Sequence, residues 1–91
     1  MTGIIIEKLV WDEWNIEHIK KHKDSVVEVE ESIFHLIAHK HSYKGRYILI
    51  GRSGKRLISI IVKRQAVKTY YVVTARDADR KERNIVYEKE K

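Results

Sequence analysis

Three consecutive apolar segments in the second half of the chain limit the fold more than any other feature. The segments RYILIGR, KRLISIIVKR and KTYYVVTAR cover residues 46–52, 55–64 and 68–76, and short turns separate them. β-branched and aromatic residues are frequent in all three, as is typical of strands. The turn GRSG, residues 51–54, has a glycine at each end, which suits a tight hairpin. We therefore predict three antiparallel strands, and the near-continuous apolarity of the middle one places it at the centre of a sheet.

The first half of the chain predicts one strand followed by two helices. Residues 4–10 are mostly β-branched and bounded by Gly3 and Asp12, as expected of a short strand. Asp12 is a suitable N-cap for a helix over residues 13–22. Ser25 begins a capping box, and apolar residues at helical spacing carry the second helix to about residue 38. The polar segment 39–45 that follows predicts a loop.

A last helix follows the third strand. Asp79 and Glu82 have capping-box spacing, so this helix is expected to begin near Asp77 or Asp79 and to end by Tyr87. The order of elements is β-α-α-β-β-β-α. This order predicts one α+β domain over residues 1–91, with an antiparallel sheet of about four strands and three helices.

Charge is distributed unevenly along the chain. Residues 44–83 hold 12 basic and 3 acidic residues, whereas residues 1–43 hold 5 basic and 8 acidic residues. A basic cluster within a small domain usually attracts a polyanion, most commonly nucleic acid. The alternative is a solvated surface that only confers solubility.

Composition excludes several other classes of protein. The chain contains no cysteine, so it has neither disulfides nor a zinc site of the cysteine type. Its apolar stretches are far shorter than the roughly 20 residues that a membrane helix needs. Nothing at the start resembles a signal peptide, so we expect a cytoplasmic protein without a membrane partner.

Three motifs are similar to those of the BrnT family of bacterial toxins. They are WDEWNIEHIKKH, IGRSGKRLISIIVKR and TARDADRKERNIVYE, in the same order and at the same spacing as in the family. The most specific is the last, a strand that ends in TAR and continues into a basic helix that ends in a tyrosine. The chain departs from the pattern in the loop HKHSYKG. It also departs at Asp77 and Asp79, where relatives often have basic or neutral residues.

The resemblance implies a RelE-like fold and a metal-independent endoribonuclease without a cofactor. Such proteins are the toxins of type II toxin–antitoxin pairs, which inhibit translation by cleaving RNA that is messenger RNA or associated with the ribosome. The resemblance also implies a BrnA-like antitoxin as partner, and promoter DNA only indirectly, through that antitoxin. A binding module that docks to nucleic acid or antitoxin without cleavage remains the alternative.

Arg76 is the leading candidate for catalysis. RNA cleavage needs no metal, because the 2′-hydroxyl lies beside its own phosphate. Arginine is always charged and its planar fork binds two phosphate oxygens, so it suits the transition state. Arg76 ends a strand whose alternation places it on the same face as Tyr70 and Val72. Alternatively, it only caps the last helix or pairs with Glu82.

A second cation and the proton-transfer groups are less constrained. Lys63 and Arg64 lie on opposite faces of the central strand, and we expect Arg64 in the catalytic site because it continues an apolar stripe. Glu82 is a candidate base, with capping or a salt bridge as its alternative role. His22 is a candidate acid or base because histidine exchanges protons near neutral pH, although it also suits a helix C-terminus.

The remaining candidates bind RNA. Cations contact the phosphate backbone, and an exposed tyrosine can stack on a base. The predicted RNA-binding residues are Arg52, Lys55, Lys63, Tyr71, Arg80, Lys81 and Arg83. Of Tyr70 and Tyr71, one must face the core.

A metal site is not predicted. His18 and His22 are four residues apart, as are His35 and His39, but no third ligand is suggested by spacing. GRSGKR lacks the spacing of a nucleotide-binding P-loop.

Overall fold

A computed structural model of the protein describes residues 3–90. Its elements in chain order are β1 (Lys8–Val10), α1 (Glu13–Lys20), α2 (Val26–Phe34), β2 (Leu36–His41), a 3-10 turn (Tyr43–Gly45), β3 (Arg46–Ser53), β4 (Arg56–Ala66), β5 (Thr69–Asp77) and α3 (Arg80–Lys89). Each α-helix begins at an N-cap that the sequence predicted, namely Asp12, Ser25 and Asp79. In each case the side chain accepts a hydrogen bond from the backbone three residues later, which satisfies a free N–H of the first turn.

The strands form one sheet in the order β1-β5-β4-β3-β2. The hairpins β3–β4 and β4–β5 are antiparallel, as predicted, and β4 lies at the centre. β1 pairs in parallel with β5, so the sheet is mixed rather than antiparallel throughout. The α+β class and the three α-helices are confirmed, and the sheet has five strands where about four were expected.

The additional strand is β2, in a segment predicted to be helix and loop. α2 ends at Phe34, and Leu36–His41 pairs antiparallel with β3. The prediction that the second helix continues to about residue 38 was wrong. The loop predicted over 39–45 begins only at residue 42, because residues 39–41 belong to β2. Sequence periodicity gave no strand signal here because β2 is short, lies at a sheet edge and contains a bulge between Leu36 and Ala38.

The close packing of α2 on the sheet depends on Gly51 of β3. A Cβ at this position would collide with the backbone oxygen of Ser32 in α2. The glycine therefore acts through its small size, and this contact fixes α2 against β3. A turn was predicted to begin at Gly51, but the residue lies within a strand that ends at Ser53.

The two faces of the sheet are covered differently. One, the helix face, is covered by α1 and α2 and carries the larger apolar core. Its buried residues are Leu9, Ile19, Val29, Leu49, Ile58, Ile60, Val62, Tyr70, Val72 and Ala75. The other, which we call the open face, carries Ser59, Ile61 and Lys63 of β4. α3 covers one end of the open face, with a smaller core of Ala38, Ile50, Leu57, Ala78 and Val86.

A bulge in β5 determines which face Arg76 occupies. Val62 pairs with Val72 while the preceding Ile61 pairs with Thr74, so Val73 is an extra residue in β5. The bulge reverses the alternation beyond it, and Arg76 lies directly opposite Ser59 on the open face. The expectation that Arg76 shares a face with Tyr70 and Val72 was therefore wrong.

Candidate functional site

Arg76 and Glu82 form the central ion pair of the candidate site. Arg76 Nη1 lies 2.7 Å from Glu82 Oε1, and Arg76 Nη2 lies 3.0 Å from Oε2. The Glu82 side chain is 3% exposed and that of Arg76 is 35% exposed. Glu82 also accepts a hydrogen bond from the backbone N–H of Asp79, at 2.8 Å, and so completes the capping box of α3. The carboxylate therefore joins the start of α3 to the end of β5.

The surroundings of Glu82 keep its carboxylate ionised. Burial acts to raise the pKa of Glu82, but the hydrogen bonds from Arg76 and from the Asp79 backbone outweigh it, and the pKa is lowered. Buried Ser59 places its hydroxyl close enough to contribute in the same direction, although without a well-formed hydrogen bond. The pKa of Arg76 is raised, first through its hydrogen bonds to Glu82. The pair is thus charged at neutral pH.

Glu82 binds only one of the two edges of the Arg76 guanidinium. A guanidinium has five N–H donors and offers a terminal edge, Nη1 with Nη2, and a side edge, Nε with Nη2. Glu82 occupies the terminal edge, and Nη1 also donates to the backbone oxygen of Asp77 at 3.3 Å. The Nε–H and the second N–H of Nη2, which point along the side edge, take part in none of these contacts. This edge has the fork geometry that binds two oxygens of a phosphate.

Three more cations lie on the same face of the sheet as Arg76. Lys63 of β4 pairs with Arg46 of β3, and Lys40 of β2 lies opposite Ile48. Between residues 3 and 90, none of these three side chains forms an ion pair, whereas Arg76 is balanced by Glu82. Arg76 lies opposite Ser59, and Lys63 is four residues further along β4, a distance of about 13 Å. The open face is therefore a basic surface with Arg76 at its border with α3.

The structure corrects the choice between Lys63 and Arg64. Lys63 lies on the open face, since it alternates with Ile61 and with Ser59, the partner of Arg76. Arg64 belongs to the helix face, and its Nε donates to the nearby backbone oxygen of Ala66, at 3.4 Å. The apolar stripe that Arg64 continues faces the main core, so the geometric reason for assigning it to the catalytic site was wrong.

The other predicted RNA-binding residues differ in their availability. Arg52 is held by Glu90, with Nη1–Oε2 at 2.8 Å and Nη2–Oε1 at 3.2 Å. Arg83 is exposed, and its Nε donates to the backbone oxygen of Ala78. The remaining exposed cations of this set are Lys55 in the β3–β4 turn and Arg80 and Lys81 in the first turn of α3.

Tyr71 is the partly exposed member of the tyrosine pair. Tyr70 is 6% exposed and belongs to the core, while Tyr71 pairs with Lys63 in the sheet. The Tyr71 hydroxyl donates to the Asp12 carboxylate, at 2.9 and 3.2 Å to its two oxygens. Burial and this carboxylate raise the pKa of Tyr71, so the hydroxyl stays protonated at neutral pH.

His22 is not brought onto the open face. It is exposed just beyond α1, a helix that packs on the helix face, and its ring meets the edge of His18 at 5.6 Å. His18 in turn stacks on Trp14 at 4.8 Å. Within residues 3–90, no cluster of three or more His, Asp or Glu side chains is arranged to hold a metal ion.

A second cation, Arg56, connects the end of β5 to the helices. Its Nε lies 2.6 Å from Asp77 Oδ1, its Nη1 3.0 Å from Glu28 and its Nη2 2.7 Å from Asp24. The Asp24 side chain is fully buried, and burial raises its pKa despite the attraction of Arg56. Arg56 therefore neutralises Asp77, the acid next to Arg76.

Sequence analysis did not identify Arg46 and Lys40 as site residues. Alternation along β3 puts Arg46 on the same face as Ile48 and Ile50, but this face could not be connected to Arg76 without the bulge in β5. Lys40 was assigned to a loop because β2 was not predicted. The excess of positive charge after residue 43 was the sequence signal for this surface. It does not show on which face of the sheet the cations lie.

The fold belongs to a class represented among ribonuclease toxins. The solved structure of the Brucella abortus ribonuclease toxin BrnT superposes on this chain with a TM-score of 0.66, at 24% sequence identity. The match covers 80% of this chain and 97% of BrnT. The chain therefore has a BrnT-like fold, as its motifs predicted. No protein-family model matches it, and no curated protein matches its sequence. In the part of the chain described, no helix is long and apolar enough to cross a membrane.

Proposed function

We propose that this protein is a metal-independent endoribonuclease and the toxin of a type II toxin–antitoxin pair. The observation that carries the proposal is the geometry of Arg76: its terminal edge is fixed by buried Glu82, and its side edge remains for a phosphate at the border of a basic strand face. The likeness to a ribonuclease toxin supports the proposal, although one fold can carry different activities.

The proposed reaction is an internal transfer at phosphorus. The 2′-hydroxyl oxygen of one nucleotide attacks its own phosphorus atom, and the bond to the 5′-oxygen of the next nucleotide breaks. The 2′-hydroxyl loses a proton and the departing oxygen gains one. The products are a 2′,3′-cyclic phosphate and a 5′-hydroxyl. Arg76 stabilises the additional negative charge on the phosphate oxygens in the transition state.

Glu82 acts in this proposal as a positioning residue. Both of its oxygens are engaged by Arg76, and its lowered pKa makes it a weak base. Its effect is to hold the guanidinium in one orientation, which favours the transition state over flexible alternatives. The proposal therefore gives Glu82 a positioning role in place of the role as a general base that was considered from the sequence.

The RNA backbone lies along the open face. Lys63, Arg46 and Lys40 attract phosphates there, and Tyr71 offers its ring beside Lys63, its hydroxyl being held by Asp12. Lys63 takes the role that the sequence assigned to Arg64. Arg80, Lys81, Arg83 and Lys55 extend the positive surface, while Arg52 contributes less because Glu90 neutralises it. His22 acts in proton transfer only if RNA reaches around the edge of the sheet.

The biological setting follows from the proposed class. The substrate is messenger RNA or RNA associated with the ribosome in the cytoplasm, and its cleavage inhibits translation. A BrnA-like antitoxin neutralises the protein, and promoter DNA is contacted only through that antitoxin.

A non-catalytic nucleic-acid-binding module is the second candidate. It is favoured by one observation: between residues 3 and 90, the carboxylates beside Arg76 have structural roles. Glu82 is held as an ion pair, and Asp79, whose Oδ2 lies 4.0 Å from Arg76 Nη1, caps α3. In that case the open face binds RNA and releases it unchanged.

The two candidates are distinguished by end-labelled RNA incubated with the pure protein in EDTA. The ribonuclease proposal predicts fragments that carry 2′,3′-cyclic phosphate ends. It also predicts that RNA with a single 2′-deoxy nucleotide at the cut position stays intact there. Binding without fragments, also in the presence of ribosomes, would support the binding module. Cleavage of the 2′-deoxy position would exclude the internal nucleophile.

A further inference from the structure

A second surface, separate from the open face, is formed by α2 and the segment before β1. Phe34 is 86% exposed, Val27 is 73% exposed and Ile5 is 62% exposed. Val27 and Phe34 are seven residues apart, so they lie on the same side of α2, about 10.5 Å from each other. Large apolar side chains exposed together in this way usually mark an interaction site.

The surface is concave next to Phe34. A hollow of about 210 Å³ is lined by Ile4, Ile5, Ile6, Ile33, Phe34 and Leu36. A second hollow of about 160 Å³ adjoins it and shares Ile6, Ile33 and Phe34. Such apolar recesses accept protruding side chains of a partner. We call Val27, Phe34, Ile5 and the two hollows the α2 surface.

The border of the α2 surface is acidic, in contrast to the rest of the protein. α2 contains three glutamates and neither lysine nor arginine, although the whole chain has a net charge of +6. Glu30 lines the second hollow together with Glu7 and Lys8, and Glu31 is exposed on the adjacent turn of α2. Glu7 Oε2 lies 3.9 Å from Lys68 Nζ, so the uncompensated negative charge is that of Glu30 and Glu31. Glu30 and Glu31 accept hydrogen bonds from the neutral donors Trp11 Nε1 and Gly54 N, so their charge is not cancelled there.

The negative charge at the border of the α2 surface decides which kind of molecule can bind there. RNA is repelled by the glutamates, and its phosphates have a basic surface on the opposite face of the sheet. A second copy related by a two-fold axis would bring Glu30 and Glu31 of both copies into the same interface, and this concentration of like charge costs energy. A helix with an apolar stripe and flanking lysines or arginines complements both the hollows and their border.

We propose that the α2 surface binds a basic amphipathic helix of a partner protein. The apolar residues of that helix, at positions i, i+4 and i+7, contact Val27 and Phe34 and enter the two hollows. Because α2 packs on the helix face, the partner leaves the open face accessible to RNA. The proposal does not depend on RNA cleavage.

The test uses the full chain and a synthetic helical peptide of about 18 residues, or five turns, with leucines at this spacing and lysines beside them. Binding is measured by fluorescence anisotropy at low salt. Phe34→Ser and Val27→Ser should each weaken binding by about tenfold or more. Val67→Ser is the matched control, because Val67 is equally exposed, at 71%, in the β4–β5 turn. It should bind like the wild type.

Two further peptides control for charge and pattern. A scrambled peptide of the same composition and a peptide with glutamates in place of the lysines should both bind at least about tenfold more weakly. Equal binding by Phe34→Ser and wild type, or no binding of the patterned peptide, would overturn the proposal. Concentration-dependent dimerisation in sedimentation that Phe34→Ser abolishes would assign the surface to a second copy instead.

Discussion

Arg76 and Glu82 meet end to end across the junction of β5 and α3, with N–O distances of 2.7 and 3.0 Å. The same carboxylate receives the backbone N–H of Asp79 and caps α3. One carboxylate therefore both caps the N-terminus of α3 and orients the guanidinium of Arg76. An arginine fixed in this way needs little reorganisation when charge develops on a bound phosphate.

Removal of Arg76 alone should destabilise the protein. Arg76→Ala leaves the buried carboxylate of Glu82 without its cation, and we expect a loss of about 2–3 kcal/mol in the free energy of unfolding. This is below the about 3–5 kcal/mol of a fully buried pair because Arg76 is 35% exposed. The double variant Arg76→Ala with Glu82→Gln should recover part of the loss in urea unfolding. An equal loss in both proteins would contradict an uncompensated charge as the cause.

The pair also predicts how stability changes in acid. The pKa of Glu82 is lower in the folded protein than its ordinary value of about 4.3. Its contribution is therefore fully present above the ordinary value and is lost as the pH falls through the lower, folded value. The stability difference between wild type and Glu82→Gln should be largest near pH 7 and should shrink below about pH 4. A constant difference for Glu82→Gln across this pH range would contradict the assignment.

For Asp24 we expect stability to depend on pH in the opposite direction from Glu82. Burial raises the pKa of Asp24 in the folded protein, so its ionised form costs stability at neutral pH and protonation relieves the cost. Asp24→Asn should therefore be at least as stable as wild type at pH 7. As the pH falls toward 4, the free energy of unfolding of the wild type should rise relative to that of the variant. Thermal melts at several pH values measure this. A variant less stable than wild type by more than about 1 kcal/mol at pH 7 would show that the bond to Arg56 dominates.

Lys63 and Arg64 provide a matched test of the open face. They are adjacent exposed cations on opposite faces of β4, so alanine removes one positive charge in either case. Lys63→Ala should weaken RNA binding and reduce the slope of log K against log salt by about 1, because one phosphate contact is lost. Arg64→Ala should leave the slope unchanged. Equal effects of the two substitutions would contradict RNA binding on the open face.

The sequence predicted those features that local chemistry determines. The caps at Asp12, Ser25 and Asp79 were recognisable because a short polar side chain precedes each apolar pattern by a fixed spacing. The hairpins were recognisable from alternation and turn glycines. The parallel pairing of β1 with β5 depends on contacts between distant segments, and no local pattern specifies it.

The features that were missed depend on pairing between strands. Sequence alternation alone cannot show that Val73 is an extra residue in β5, yet this residue decides that Lys63 rather than Arg64 accompanies Arg76. β2 was missed because an edge strand with one bulge and three polar residues resembles a loop. The positions of Lys40 and Arg46 in the site followed only from the observed register.

The most direct test of the account compares RNA cleavage by Arg76→Lys and Arg64→Lys in EDTA, at matched protein concentration. Lysine keeps the positive charge but cannot hold Glu82 with one edge and a phosphate with the other. We expect Arg76→Lys to cleave about 10²–10³-fold more slowly than wild type, and Arg64→Lys to match wild type. Similar rates for all three proteins would contradict the central claim that Arg76 acts on the phosphate.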